Sequence, residues 1–403
     1  MKILQVDYSD LLGQIYNGFD LQRSLNQKGH QAKQVVLDKL SDDENVIPLQ
    51  KDQVLHEEMK YLEKKLSISQ MLFPYGREIM NMKEYQEADI VHFHILHLDM
   101  VSLLDLPLLM NSKHAVWTIH DPWIVTGNCA YPLQCEKWRT GCGECGNLDY
   151  KGFEMHEDNT HFMWEIKKKV FKQINPTIVV ASDFTRKYIE ESPLTNHFTD
   201  IVKIPFGVHL EEIGNMDRKA SREEMMLGEK DFVIGFRIEF GVRKGCGLLY
   251  EALRRFDNKE NVVLMTVGTG NIPKHIKEKF RIIELGQVND ETRMMKFFKA
   301  CDVFIMPSLA ETFGLMAVEA MAASVPVICF RDTVLEEVSF APACGVTAAY
   351  GNIEELKEAI CSIRQNVSEA RHRGRLGRVL AEQHYSYEAY VKKHIQLYQR
   401  LSG

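Results

Sequence analysis

Twice along its 403 residues this sequence runs through the same rhythm, a short apolar run closed by turn residues and then a longer amphipathic stretch. Alternation of this kind reads as βα units, because a strand covered on both faces needs an unbroken apolar run and its parallel neighbour is reached through a helix. In the first half the strand candidates are 2–6, 90–93, 115–118, 177–181 and 201–204. In the second they are 232–236, 262–267, 282–285, 303–306 and 326–330, and 207–216 reads as the linker between the two sets. The fold class is therefore α/β, with two Rossmann-like domains facing each other across a cleft. Ligands of such sheets sit beyond the carboxyl ends of the strands, so site residues are expected just after strands.

Composition excludes several classes. Hydrophobic residues at 45% and charged residues at 26% fit a folded enzyme and not a disordered chain. A net charge of −7 argues against nucleic acid as a partner. Asp7 interrupts the first apolar run, which a signal peptide would not tolerate, and no apolar stretch approaches the roughly 18 residues of a membrane span. The expectation is a cytoplasmic protein. Lys167, Lys168, Lys169 and Lys172 form a small basic patch that suits either solvent or peripheral contact with the inner face of an anionic membrane. The mixed charges of 56–66 read as a solvated helix face, and the aromatic spacing of 385–401 as an amphipathic terminal helix.

The most informative stretch follows the strand candidate 303–306. Gly314 opens an Ala- and Met-rich helical segment, so Thr312, Phe313, Gly314 and Leu315 would surround a helix N-terminus whose free N–H groups suit phosphate or sugar oxygens. Glu311 lies in the loop before it and Glu319 inside the helix; carboxylates accept hydrogen bonds from paired hydroxyls, such as those of a sugar or a ribose. Taken alone, two glutamates eight apart are also explained as a helix cap and a solvated side chain.

The whole string, Glu311 to Glu319 and on through Pro326-Val327, resembles the Glu-x7-Glu signature of the family 4 glycosyltransferases. Upstream, Gly235-Phe236-Arg237 through Lys244-Gly245 looks like that family's strand-Arg, loop, Lys-Gly, helix unit. The resemblance implies the GT-B fold and a retaining transfer of sugar from a nucleotide-diphosphate sugar, a UDP-sugar being favoured, to a glycan, lipid-linked or small-molecule acceptor. It implies Arg237 and Lys244 on the diphosphate, with Arg243 competing for that place, Glu311 on the donor sugar and Glu319 on the ribose. Gly268 matches the family's glycine pair, and Gln287 lies in the segment that meets the nucleobase. It also implies a first domain over 1–208, with the terminal helix 385–403 crossing back to it, and a donor domain over 209–384. Ser324 stands where the family has Gly, and Phe206-Gly207-Val208-His209 where it has Asn-Gly-Val-Asp, departures that bear on donor identity.

In the first half, Gly13 lies in a glycine-containing loop before the first helix and is assigned to the phosphate or acceptor. Trp117 through Trp123 resembles a His-Asp-x-Trp branch of the family, which places His120 against the transferred sugar or the phosphate; Asp121 beside it invites a general-base reading. His92, His94 and His97 are read as core or strand-end histidines. Cys129, Cys135, Cys142 and Cys145 fall as Cys-x5-Cys-x6-Cys-x2-Cys, which suits a structural zinc, free thiols or two disulfides. No cofactor is expected for catalysis itself. Rival functions are a nucleotide-sugar epimerase or hydrolase of the same fold, and a catalytically silent sugar-nucleotide-binding subunit.

Overall fold

A computed structural model describes residues 1–257 and 260–403. The chain divides into two compact units, Met1–Phe206 with Tyr390–Gly403, and Gly207–Ala389.

The first unit is built on seven parallel strands, β1 (Lys2–Ser9), β2 (Gln31–Asp38), β3 (Val46–Pro48), β4 (Ile90–Phe93), β5 (His114–Thr118), β6 (Thr177–Val180) and β7 (Ile201–Lys203), in the order β3-β2-β1-β4-β5-β6-β7. Val6 pairs with Val35 on one side and Phe93 on the other, so β1 is central. The strand order reverses between β1 and β4, and the crevice beyond their carboxyl ends is where a sheet of this topology takes its ligand. The second unit repeats the plan with β8 (Phe232–Ile238), β9 (Val262–Gly268), β10 (Arg281–Glu284), β11 (Val303–Met306), β12 (Val327–Phe330) and β13 (Val346–Ala348), in the order β10-β9-β8-β11-β12-β13. Its reversal lies between β8 and β11.

Both sheets are sealed on their two faces. β4, β6, β11 and β12 are buried at every residue, as their unbroken apolar sequences require. Each unit has its own core, one around Val6, Phe93, Trp117 and Phe171, the other around Ile234, Phe236, Leu249 and Phe330.

Several sequence expectations are corrected. The linker assigned to 207–216 contains a helix, Leu210–Asn215, because Leu210 and Ile213, three apart, are both buried. The unit boundary falls at Phe206 and Ala389 and not at 208 and 384: the Val208 N–H donates to the Tyr385 carbonyl (2.8 Å) and the Tyr387 N–H donates back to Val208 (3.1 Å), so these crossing segments fold together in the second unit. Helix Gln53–Leu66 keeps its charged face exposed except at one residue. Its Glu63 is buried, accepting three hydrogen bonds from the backbone N–H groups of Gln70, Met71 and Leu72. The basic patch loses its first member, since Lys167 is only 1% exposed. Its ammonium donates to the carbonyls of Trp123 (2.7 Å) and Thr126 (2.9 Å) and lies 3.4 Å from the Trp123 ring centroid, and burial pulls its pKa down to about 7. Among the described residues, no helix is long and apolar enough to cross a membrane.

Candidate active site

The second unit gathers its charged residues at the β8/β11 crevice. After β8 the chain runs through Glu239 to Gly245 and into the helix Cys246–Arg254; after β11 it runs through Pro307 to Gly314 and into the helix Leu315–Ala322. The two loops are clasped together, the Leu309 N–H donating to the Arg243 carbonyl at 2.8 Å. Gly245 is required here, with φ of +67° and a backbone so close to the neighbouring loop that a Cβ would stand 1.8 Å from the Pro307 carbonyl oxygen.

Across this clasp the Lys244 ammonium meets Glu311 Oε1 at 2.5 Å, and the Ser308 hydroxyl donates to the same oxygen at 3.0 Å. Arg243 bridges Glu311 Oε2 (3.8 Å) and Glu239 (3.5 Å), and Arg237 lies 3.2 Å from Glu239. Three cations thus share two carboxylates, which leaves one positive charge in excess. Lys244 and Glu311 are largely withdrawn from water, with side chains 16% and 9% exposed, whereas the Arg237 side chain is 46% exposed.

Gly314 caps the Leu315–Ala322 helix at φ of +92°, with Thr312 and Phe313 buried before it; the Phe313 ring meets Tyr385 edge-on at 5.4 Å. The helix therefore opens beside the ion-pair network, adding partial positive charge at its N-terminus. Glu319, partly exposed on the same helix, has its pKa raised to about 7, chiefly by burial of its carboxyl and also by Glu291, against a weaker pull from Arg237. Gly268 ends β9 at φ of +96°, its N–H donating to the Gly286 carbonyl at 2.8 Å, and Gln287 follows on an exposed turn. Arg237, Lys244, Glu311, Thr312, Phe313, Gly314, Leu315 and Glu319 thus belong to one end of one sheet.

In the first unit the β1/β4 crevice is lined by a buried polar chain. His94, just past β4, places Nδ1 3.0 Å from His120 Nε2, and its own Nε2 lies 2.8 Å from Gln5 Oε1. The Gln5 amide donates to the Tyr398 hydroxyl (3.3 Å), which sits 2.6 Å from His92 Nδ1, and His92 Nε2 reaches the Thr118 hydroxyl at 2.7 Å. A carbonyl oxygen only accepts, so with Gln5 in this orientation His94 carries its proton on Nε2 and accepts at Nδ1. His120 must then be the donor through Nε2–H, and its Nδ1 is the basic nitrogen. Burial pulls the His120 pKa down to about 3, and His94 and His92 well below the usual histidine range, so the chain is neutral.

His120 is stacked 5.5 Å from Phe206 at an interplanar angle of 1° and 5.4 Å from Tyr16. Asp121 belongs elsewhere: its carboxylate holds His97 Nε2 at 2.9 Å and caps the turn Pro122–Val125 through the Trp123 N–H. That engagement speaks against the general-base reading. Gly13 lies in the loop between β1 and the first helix, as expected. The helix Phe19–Gln27 is capped by Gly18 at φ of +93°, where a Cβ would lie 2.7 Å from His94 Nε2, while Gly13 turns the loop beneath the Tyr16 ring.

The four cysteines Cys129, Cys135, Cys142 and Cys145 are free, and burial raises the thiol pKa of Cys129 to about 12. A tetrahedral zinc site with Zn–S bonds of about 2.3 Å needs sulfurs about 3.8 Å apart. Among the described residues, the set of three His, Cys, Asp or Glu ligand atoms lying within 4.8 Å of one another is Asp7, His94 and His120. Cys142 is held by the Gly127 N–H at 3.2 Å. Sequence reasoning missed Gln5, Gly18 and Tyr398, which touch the histidine chain; the two-residue spacing of His92 and His94 was the available signal.

Residues 217–378 match the family model described as Glycosyl transferases group 1. The second unit carries this likeness to the group 1 glycosyl transferases. The group 1 match spans the whole clasp, from Arg237 to Glu319. In addition, 267 residues align at 26% identity with a protein of Escherichia coli (strain K12) assigned to colanic acid biosynthesis as the glycosyl transferase WcaC, covering 62% of this chain and 61% of that one. The chain thus spans less than two thirds of that relative's length. Among solved structures, the sucrose-phosphate synthase of Thermosynechococcus elongatus superposes over 99% of this chain and 98% of its own, with a TM-score of 0.70 at 18% identity. Anabaena Alr3699/HepE, in complex with UDP and glucose, does so over 99% and 100%, with a TM-score of 0.68 at 15% identity. These likenesses show the GT-B fold.

Proposed function

We propose that this group 1 glycosyltransferase moves a sugar from a nucleotide-diphosphate sugar, a UDP-sugar by preference, to a carbohydrate, lipid-linked or small-molecule acceptor with retention of configuration, in polysaccharide or glycoconjugate synthesis. The observation that carries the reading is the Lys244–Glu311 pair at 2.5 Å, set with Arg243 and Arg237 at the crevice of the donor-side sheet.

In this reading the donor diphosphate enters among Arg237, Arg243 and Lys244, whose surplus charge it neutralises. Glu311 then turns to the sugar hydroxyls, with the N–H groups around Thr312 to Leu315 beside it, Glu319 takes the ribose and Gln287 the base. Charge grows on the departing phosphate in the transition state, so the fixed cations lower the barrier more than they tighten binding. These side chains supply the charge that a divalent cation would, and none is needed. His120, as a neutral acceptor at Nδ1, is suited to a sugar hydroxyl. HepE is solved with UDP and glucose, which supports the choice of UDP.

The test is incubation of the protein with a radiolabelled UDP-sugar, with and without a panel of glycan and polyprenyl-phosphate acceptors, and proton NMR of the new anomeric centre. A product that keeps the donor's anomeric configuration supports the proposal. Nucleotide release at the same rate without acceptor favours the hydrolase or epimerase reading, and binding without turnover favours the silent subunit.

A further inference from the structure

A second charged recess lies at the opposite end of the second sheet's strands. It has a volume of about 220 Å³ and opens at the amino ends of β8, β11 and β12, bordered by Phe232, Asp302 and Pro326. Four cations line it, Arg218, Lys299, Arg371 and Arg375, against the single carboxylate of Asp302. That carboxylate is already engaged: Oδ1 holds Arg218 at 2.7 Å, and Oδ2 accepts from Arg222 (3.3 Å) and from the Val233 N–H (2.8 Å).

Lys299, Arg371 and Arg375 form no ion pair with any described residue. Arg371 and Arg375 stand one turn apart on the helix Val367–His384 and are exposed where they line the recess, while Lys299 is 8% exposed. Burial, and then the repulsion of Arg378 and Arg218, lowers the Lys299 pKa. Lysines so largely buried are ordinarily paired, and no described residue pairs this one. The floor is held in place at a cost. Ser324 lines the recess at φ of +64°, a left-handed conformation costly for a residue with a Cβ, and Gly374 lets the helix approach so closely that a Cβ there would lie 2.1 Å from the Ser324 carbonyl oxygen.

We propose that this recess binds a phosphate monoester, with Lys299 at its base and Arg371 and Arg375 at its rim. A doubly charged phosphoryl group supplies the acceptors that the three cations lack and suits arginine's paired donors. The same chemistry is offered by a small phosphorylated metabolite and by the headgroup of phosphatidic acid. The site is separate from the donor crevice, being at the other end of the same strands.

Isothermal titration of the full chain with glycerol 3-phosphate and with inorganic phosphate tests this, in wild type, Lys299→Met, the pair Arg371→Glu/Arg375→Glu, and Lys244→Ala. The rim variant is at exposed positions and keeps the fold if the buried one does not. Binding weakened at least about tenfold in both recess variants and unchanged in Lys244→Ala is expected. Flotation with phosphatidic acid vesicles against phosphatidylcholine vesicles assigns the source: recruitment lost in the rim variant means a lipid headgroup, and soluble binding alone means a free ester. No binding to wild type by either probe overturns the proposal, as does binding that survives the recess variants and disappears in Lys244→Ala.

Discussion

The Lys244 ammonium and the Glu311 carboxylate, 67 residues apart in sequence, meet at 2.5 Å across the clasp between the β8 and β11 loops. Each neutralises the other, so a donor must separate them to use both. Replacing Lys244 by Ala removes the charge that faces the leaving phosphate and is expected to lower kcat by about 100-fold or more while changing donor Kd by less than about tenfold. Rapid-quench turnover beside equilibrium titration with the nucleotide makes the comparison. Equal losses in both mean that the lysine only binds.

Glu319 titrates in the working range. Its folded pKa of about 7 lies above that of an exposed glutamate, so the ribose-binding anion is lost as pH falls through 7. Nucleotide affinity is expected to fall several-fold from pH 8 to pH 6, and Glu319→Gln to flatten that dependence at the lower level. Stability has the opposite trend: the raised folded pKa means that Glu319 contributes stability below the unfolded value near 4.5 that diminishes as pH rises toward 7. Titration calorimetry at three pH values separates the effects.

The histidine chain predicts a spectroscopic signature. His120 is neutral with its proton on Nε2, so its ¹⁵N shifts hold a single tautomer between pH 5 and 8, and Gln5→Leu, which removes the acceptor for His94, mixes the tautomers. Because burial depresses the pKa values of His92, His94, His120 and His394, the last to about 4, the unfolded state takes up more protons below pH 6.5. Stability is therefore full above that pH and is lost as pH falls toward 4, which urea midpoints across the range measure.

Much of this was legible in the sequence, and the exceptions have physical causes. Strands β4 and β11 coincide with their apolar runs because both faces are covered. β2 was hidden because its first residues alternate Gln31, Ala32, Lys33, and β3 and β13 because three residues make no period. On the donor side, residues close in sequence are close in space, so Arg237 to Lys244 and Glu311 to Glu319 could each be read as a local motif. On the other side, Gln5, His94, His120 and Tyr398 come from four distant segments, and only His120 and the His92/His94 spacing carry a local signal. Lys167 looked like a solvated lysine among lysines, and only its partners in three dimensions reveal otherwise.

The clasp itself is fragile at one atom. Gly245→Ala would place a methyl group 1.8 Å from the Pro307 carbonyl oxygen at a left-handed φ. The strain alone is about 1–2 kcal/mol, and the clash adds to it, so the thermal midpoint of the second unit is expected to drop and nucleotide binding with it. Differential scanning calorimetry checks this against Gly247→Ala, whose Cβ meets nothing.

The central claim is that the second unit holds a nucleotide sugar. The most direct measurement is the thermal midpoint of wild type and Glu319→Ala against UDP-, GDP-, ADP- and dTDP-sugars, since a ligand at 100 times its Kd stabilises the native state by about 2.7 kcal/mol. The account predicts a rise of several degrees for one nucleotide class, UDP before the others, that shrinks or vanishes in Glu319→Ala. No rise with any nucleotide in the wild type would contradict it.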